Sequence, residues 1–418
     1  MTIDEFRSLK TSDGSDLPDS AKAPSPRLVR LAMLVACASV LQVAESLLPH
    51  PLPGVRVGLA NIITIVALAE LGWRSALQLA VLRALVSSLV LGTFLSPAFV
   101  LSLFGGLASA LAMIAAHALA RRVPGIGFIG ISVAGAVSHI IAQVGLVWLL
   151  FIRSPGVLWL APWLVLAAVA TGLLTGFVAV QALGRIEERE GERVMGNGER
   201  ETAREPLTRN PGPVTLGPLG RARPEYKVAA VTMVALVLML FNRAWVYAAV
   251  FALLCALAAV GRVRPAALLS ALRRAWALLV AAFALPVLFS PWGRILLQLG
   301  PLRITELGLR EGGLFAVRLL LLLLVTRLLA SVTAPADLAR GIARLLSPLR
   351  RFGIDPDSVG QALGLAWAFF PAMLGRARES IRCRGLGRSR LDRLVNLPGD
   401  VVADLYLSTG VADSGASR

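Results

Sequence analysis

The sequence predicts an all-α, polytopic transmembrane protein: two helical bundles followed by amphipathic helices that stay outside the lipid. Three observations predict it. Apolar residues make up 56% of 418 residues and the mean hydropathy is +0.73, more apolar side chain than a soluble core of this size needs. These residues gather into runs of roughly 16–26, long enough for helices to cross a hydrocarbon layer about 30 Å thick. Basic residues then fall in alternate connections, as cytoplasmic loops require. The formal charge of +17 would suggest nucleic acid in a soluble chain. Here the arginines collect on one side of a membrane, so no nucleic-acid partner is expected. Cys37, Cys255 and Cys383 are scattered, with neither metal nor disulfide spacing.

Residues 1–27 are polar, mixed in charge and end in KAPSPR, which reads as a disordered cytoplasmic tail and not a cleavable signal. Residues 28–184 form the first bundle, with six spans at about 28–48, 57–71, 76–91, 97–120, 126–151 and 157–183. The second and third are short for a bilayer, so they are expected to be tilted, broken or re-entrant. Lys22, Arg27, Arg30, Arg74, Arg121 and Arg122 lie in the tail and alternate loops, against Arg56 and Arg153 in the others. That bias puts the N-terminus in the cytoplasm of a multi-pass inner (plasma) membrane protein. Residues 185–223 change character abruptly: charged, nearly balanced in sign, rich in Gly and Pro, hence a flexible linker. Residues 224–332 form the second membrane domain, with spans at about 228–241, 244–260, 275–290 and 313–332. Arg262, Arg264, Arg273 and Arg274 mark its inner loop.

Residues 333–406 are read as cytoplasmic helices, and 407–418 as a polar tail; the C-terminus is then also cytoplasmic. Thr333 suits an N-cap, with Pro335 and Asp337 in the first turn. Leu338, Ile342, Leu345 and Leu349 share one face of that helix, with Arg340 and Arg344 on another. Asp355-Pro356 opens a second helix, whose stripe is Val359, Leu363, Ala366, Phe370, Leu374, Ala377 and Ile381. Pro371 should kink it, and Gly385 should end it after Arg376, Arg378, Arg382 and Arg384. Two such helices suit either a lipid surface or a basic tip offered to a soluble partner.

Polar groups inside the first bundle are the candidate substrate-binding residues: Glu45, Arg56, Asn61, Arg83, His139 and Gln143. Burying Arg83 at mid-span costs about 3 kcal/mol, which something in the bundle must offset. Two readings are open: a polar cavity for a small solute, anionic if it pairs with Arg83, or an internal network that fixes helix packing. Ala32 and Ala36 form a small-xxx-small pair suited to close helix docking. No GxxxxGK[ST], GxSxG, HExxH or paired aspartate cluster occurs, so neither catalysis nor a bound metal or cofactor is expected of this chain.

LPGVRVGLANIITIVAL (Leu52–Leu68), LGTFLSPAFVLSLFGGLAS (Leu91–Ser109) and GAVSHIIAQ (Gly135–Gln143) are similar to the Gx transporter family, also described as heptaprenyl diphosphate synthase component I. That family is grouped with the substrate-binding S components of energy-coupling-factor (ECF) transporters, whose first helix docks through small residues. Ala32 and Ala36 match that pattern. PEYK (224–227), Ile304–Leu338, Leu345–Val359 and FFPAMLGRARESIRCRG resemble the T component of the same transporters, related to the cobalt-transport membrane subunit. The resemblance implies that Arg378, Arg382, Arg384 and Gly385 couple to ATPase subunits, which hydrolyse ATP in place of this chain. Two positions depart from the family: Ala368 stands where an arginine is usual, and no second Arg-Gly tip follows Gly385. The expectation is a fused S–T importer subunit whose partners are ECF-type ATPase subunits, a small-molecule solute and membrane lipid. The alternatives are an accessory subunit of polyprenyl diphosphate synthesis and a lipid-bound scaffold.

Overall fold

Six helices follow one another from residue 26 to residue 195, and their limits follow from local chemistry. The computed structural model describes residues 25–47, 58–91, 93–94, 96–123, 125, 127–151, 159–195, 223–261, 293–299, 302–333, 335–345, 356–385 and 397–407, with scattered positions between 269 and 288. Helix α1 spans Pro26–Leu47 and α2 Leu59–Glu70, the latter only 12 residues and short for a bilayer, as expected. Helix α3 covers Trp73–Leu91. Helix α4, Pro97–Ala120, starts where a capping serine meets a proline: Ser96 Oγ accepts the Phe99 N–H at 3.3 Å. Helix α5, Phe128–Leu146, runs on into a π-helical turn at Val147–Phe151. Helix α6, Ala161–Met195, continues well past residue 184. The charged stretch there was expected to be flexible linker. It begins with Glu and Arg, both good helix formers, and the helix simply propagates through them. Helix α6 lies close on α5: a Cβ on Gly172 or Gly176 would come within 2.8 Å of Val133 Cα or 2.7 Å of Ile129 Cα.

The second half differs more from expectation. Helix α7, Pro224–Leu240, begins with proline in its first turn, and α8 spans Ala244–Val260 as expected. A hairpin then interrupts the all-helical pattern: β1, Ile295–Leu299, pairs antiparallel with β2, Leu302–Thr305. Thr305 ends the hairpin and caps α9, Glu306–Val332, by accepting the Gly308 N–H at 3.1 Å, so this helix begins before the expected 313. Helices α10, Pro335–Leu345, α11, Pro356–Gly385, and α12, Leu397–Leu407, complete the described chain. Thr333 does not cap α10. Its extended backbone (φ −138°, ψ 126°) closes α9 instead, and its buried hydroxyl has no hydrogen-bond partner among the described residues.

Among the described residues, seven helices are long and apolar enough to cross a membrane, by length and composition: α1, α3, α4, α5, α6, α9 and most of α11. Buried side chains divide unexpectedly. One core gathers α1, α2, α3 and the C-terminal part of α6 together with Leu338 and Ile342 of α10, Val359 to Ala377 of α11, and Val401 to Tyr406 of α12. A separate core holds α7, α8 and α9. Helices α11 and α12 therefore pack on the first bundle, while α10 packs on α7 and α11.

Candidate functional site

A polar layer crosses the first bundle. Glu45 on α1 is 3% exposed, and its Oε1 accepts the backbone N–H of Gly58 at 2.6 Å. Gly58 stands immediately before α2 with φ 85°, a left-handed conformation that a side chain would strain. One turn on, Asn61 offers its Oδ1 to Arg83 Nη2 of α3 at 2.8 Å. Arg83 is 5% exposed and lies over α4, where a Cβ on Gly106 would be 3.3 Å from Nη2. A buried acid and a buried guanidinium thus face one short helix from either side. The guanidinium carries five donors in a fixed fork, suited to a carboxylate, phosphate or carbonyl oxygen.

The neighbouring glycine faces the other pair. A Cβ on Gly105 would meet His139 Cε1 at 2.9 Å and Gln143 Cγ at 3.1 Å. Gln143 Nε2 donates to the Leu101 carbonyl at 3.4 Å. Gly105 and Gly106 are adjacent on α4, so bare backbone lets His139 and Gln143 close on one and Arg83 on the other. The structure gathers Glu45, Asn61 and Arg83 into one hydrogen-bonded path and brings His139 and Gln143 to its edge; Arg56 lies outside the described residues. Residues not singled out in the sequence join them. Gln42 Nε2 donates to Ser102 Oγ at 3.0 Å, and the Ser132 and Thr175 hydroxyls pair at 2.9 Å. Ser109, one turn beyond Gly105, is buried with no hydrogen-bond partner for its hydroxyl among the described residues. Gln42 lies one turn before Glu45 on α1, a spacing that could have identified it. No trio of His, Cys, Asp or Glu gathers for a metal among the described residues.

The second arrangement is the seat of the last helices. PEYK at 224–227 is where α10 docks. Arg344 pairs with Glu225 at 2.8 Å, Lys227 Nζ donates to the Val332 carbonyl at 3.3 Å, and a Cβ on Gly341 would come within 3.1 Å of the Pro224 carbonyl. Arg340 pairs with Asp337 within α10. Helix α11 buries Val359, Ala362, Leu363, Ala366, Phe370, Met373 and Ala377 in the core that includes Ala32 and Ala36, both 0% exposed. Cys37 Sγ lies 3.7 Å from Met373 Sδ. Past this face, Arg378, Ile381, Arg382 and Cys383 are exposed, and Arg384 and Gly385 are the last two residues of the helix. Ile381, expected on the buried stripe, is 49% exposed, because α11 outruns the helix it packs against.

Comparison with known proteins finds two family matches along the chain. Residues 34–182 match the family model described as heptaprenyl diphosphate synthase component I, and residues 217–409 match the one described as cobalt transport protein. The second half is also similar to proteins named energy-coupling factor transporter transmembrane protein EcfT. The relative from Brevibacillus brevis is 28% identical over 166 residues, 40% of this chain and 63% of that protein. The one from Listeria innocua is 27% identical over the same coverage. The one from Thermosediminibacter oceani is 37% identical over 87 residues, 21% of this chain and 33% of its own. The chain thus spans less than two thirds of these relatives' length.

Proposed function

We propose that this chain is the membrane subunit of an ECF-type importer, with a solute-binding bundle and its coupling module in one polypeptide. The observation that carries the reading is the double engagement of α11. One face shares a buried core with α1, where Met373 meets Cys37, while its basic end stays exposed. A helix seated in this way can pass motion from a soluble motor to the first bundle. The motor is a separate pair of ATPase subunits, which supply ATP hydrolysis. The solute is a small molecule with an anionic or carbonyl group, held by Arg83, Asn61, Glu45, His139 and Gln143, with the buried Ser109 hydroxyl as a further donor.

A second contact supports the reading. Arg327 Nη2, near the end of α9 that leads to the cytoplasmic helices, donates to the Leu91 carbonyl at 3.0 Å. The arginine bias puts Leu91 at the outer end of α3. In an upright bundle it would lie most of a ~30 Å hydrocarbon layer away from the inner end of α9. On this reading the first bundle is tipped against its neighbour, with α1 lying along the cytoplasmic α11. Trp159, Trp163 and Trp245 are 82%, 72% and 71% exposed at helix ends, where a lipid headgroup region accommodates indole.

Co-purification of the chain with candidate ATPases tests the proposal. Arg384→Glu is expected to abolish ATP-dependent uptake while solute still co-purifies; uptake that survives would remove the coupling role. The length of α11 favours a competing arrangement in which it spans the bilayer. That would carry Arg378 to Arg384 outside, against the bias of every other arginine cluster. Cys383 decides. It is exposed and Cys37 is buried, so with the exposed Cys255 replaced by serine a membrane-impermeant maleimide is expected to label Cys383 in inside-out vesicles and not in right-side-out ones. The description matched by the first half supports a second reading, an accessory role in polyprenyl diphosphate synthesis. Prenyl chain elongation by the purified chain with magnesium would establish it.

A further inference from the structure

We infer that α12 is a latch that keys the coupling module to this chain's own first bundle, so that the two stay docked without the connecting stretch. The inference rests on the two-module reading above but not on transport. Helix α12 has 11 residues, and Val401, Val402, Ala403, Leu405 and Tyr406 are all nearly inaccessible. Asp400, on the same helix, is 3% exposed, and a carboxylate so buried needs a partner. Its partner belongs to the other module: Arg185 Nη1 of α6 lies 2.6 Å from Asp400 Oδ1. Gly399 makes room for it. A Cβ there would be 3.1 Å from Arg185 Nη1 and 3.2 Å from Gln181 Oε1. One turn further along the same face, α12 grips the coupling helix, where Ser380 Oγ donates to Asp404 Oδ2 at 2.6 Å.

One short helix therefore reads both modules, each through a carboxylate, one turn apart. Apolar packing alone would accept many similar bundles. A buried carboxylate accepts only a bundle that carries a cation at the inner end of α6, because an unmatched bundle would leave the charge uncompensated. A tether would hold any fused bundle nearby through effective concentration. The ion pair is what makes this bundle the resident one.

The test uses the full chain in detergent, with a specific protease site inserted between residues 205 and 215 and an affinity tag at the C-terminus. After cleavage the tagged half is captured and the retained first half is measured. The first half is expected to remain bound. Arg185→Glu and Asp400→Arg should each lower retention at least about tenfold, and the double variant R185E/D400R should restore it. Gly399→Val should release the first half without any change of charge, and decides the matter if the charge variants unfold before cleavage. Separation of the wild-type halves on cleavage, full retention in Arg185→Glu or Gly399→Val, or no recovery in a double variant that unfolds at the wild-type temperature would each overturn the latch. Capture needs no ATPase, nucleotide or solute. Loss of retention with uptake intact would strike the latch alone, and failed ATPase binding with retention intact would strike the transport reading alone.

Discussion

Ala366→Trp is expected to reduce uptake to background while leaving solute binding by the first bundle unchanged. Ala366 is 0% exposed in the core shared by α11 and α1, as are Ala32 and Ala36. Small side chains let the helices approach closely, and an indole forced between them cannot be absorbed by rotamer changes alone. Overpacking costs about 1–3 kcal/mol even for a few added methylenes, and an indole adds far more. The cheapest relief is to separate two helices joined by noncovalent contacts only. The folded bundles survive, but the route for motion is broken. Proximity can be read independently of transport. Cys37 Sγ lies 3.7 Å from Met373 Sδ, so in a Met373→Cys background the two thiols face each other across a short gap. A short bifunctional thiol reagent should cross-link the pair there and fail when Ala366→Trp is added. A variant that still transports and still cross-links would show that α11 and α1 need no close approach.

Much of this architecture can be read from the residues, and what cannot has a physical reason. Helix α4 falls on its expected limits because Ser96-Pro97 is a strong start signal and the apolar run after it is unbroken. Helix α8 does the same between Arg243 and Gly261. The stripe on α11 was legible through helical spacing, and six of its seven residues are buried or half-buried. What the stripe packs against was not legible, since periodicity identifies an apolar face and says nothing of its partner. The hairpin at Ile295–Thr305 was missed because ILLQL and LRIT are short and apolar like the helices around them. The helical start of the linker was missed because charge balance and Gly content suggest a tether, while Glu and Arg propagate a helix that is already formed.

The polar site was legible in part for similar reasons. Arg83, His139 and Gln143 stand out because hydrocarbon surrounds them in the sequence. Glu45 was visible as an acid near the edge of a span, but not its hold on the Gly58 N–H, which depends on a left-handed backbone at Gly58. Gly105-Gly106, which lets both Arg83 and His139 close on α4, is one glycine pair among 38 glycines. Arg185–Asp400 joins charges 215 positions apart (400 − 185), and spacing within a helix carries no trace of such a pair.

Arg83→Met should leave the protein as stable as before, or slightly more so, and empty it of solute. The two roles open to a buried arginine predict opposite results. A guanidinium in the hydrocarbon layer costs about 3 kcal/mol relative to an apolar side chain, and methionine fills similar volume without that cost. If Arg83 only pinned helices together, its removal would leave the buried Asn61 Oδ1 without its donor. A buried acceptor so stranded costs about 1–3 kcal/mol, and the unfolding temperature would fall. Glu45, however, accepts the Gly58 N–H, and removing a buried guanidinium offsets the loss at Asn61. The stability cost should therefore be small. Binding loses a charge-assisted hydrogen bond worth about 2–3 kcal/mol, roughly a 30- to 150-fold weaker Kd. The measurement is mass spectrometry of small molecules co-purified with the full chain, alongside thermal unfolding of the same samples. Wild-type and Arg83→Lys proteins should retain an acidic or carbonyl-bearing compound, the lysine variant less of it, and Arg83→Met none. A methionine variant that unfolds many degrees early yet keeps the compound would assign Arg83 to packing and move the solute site elsewhere in the bundle.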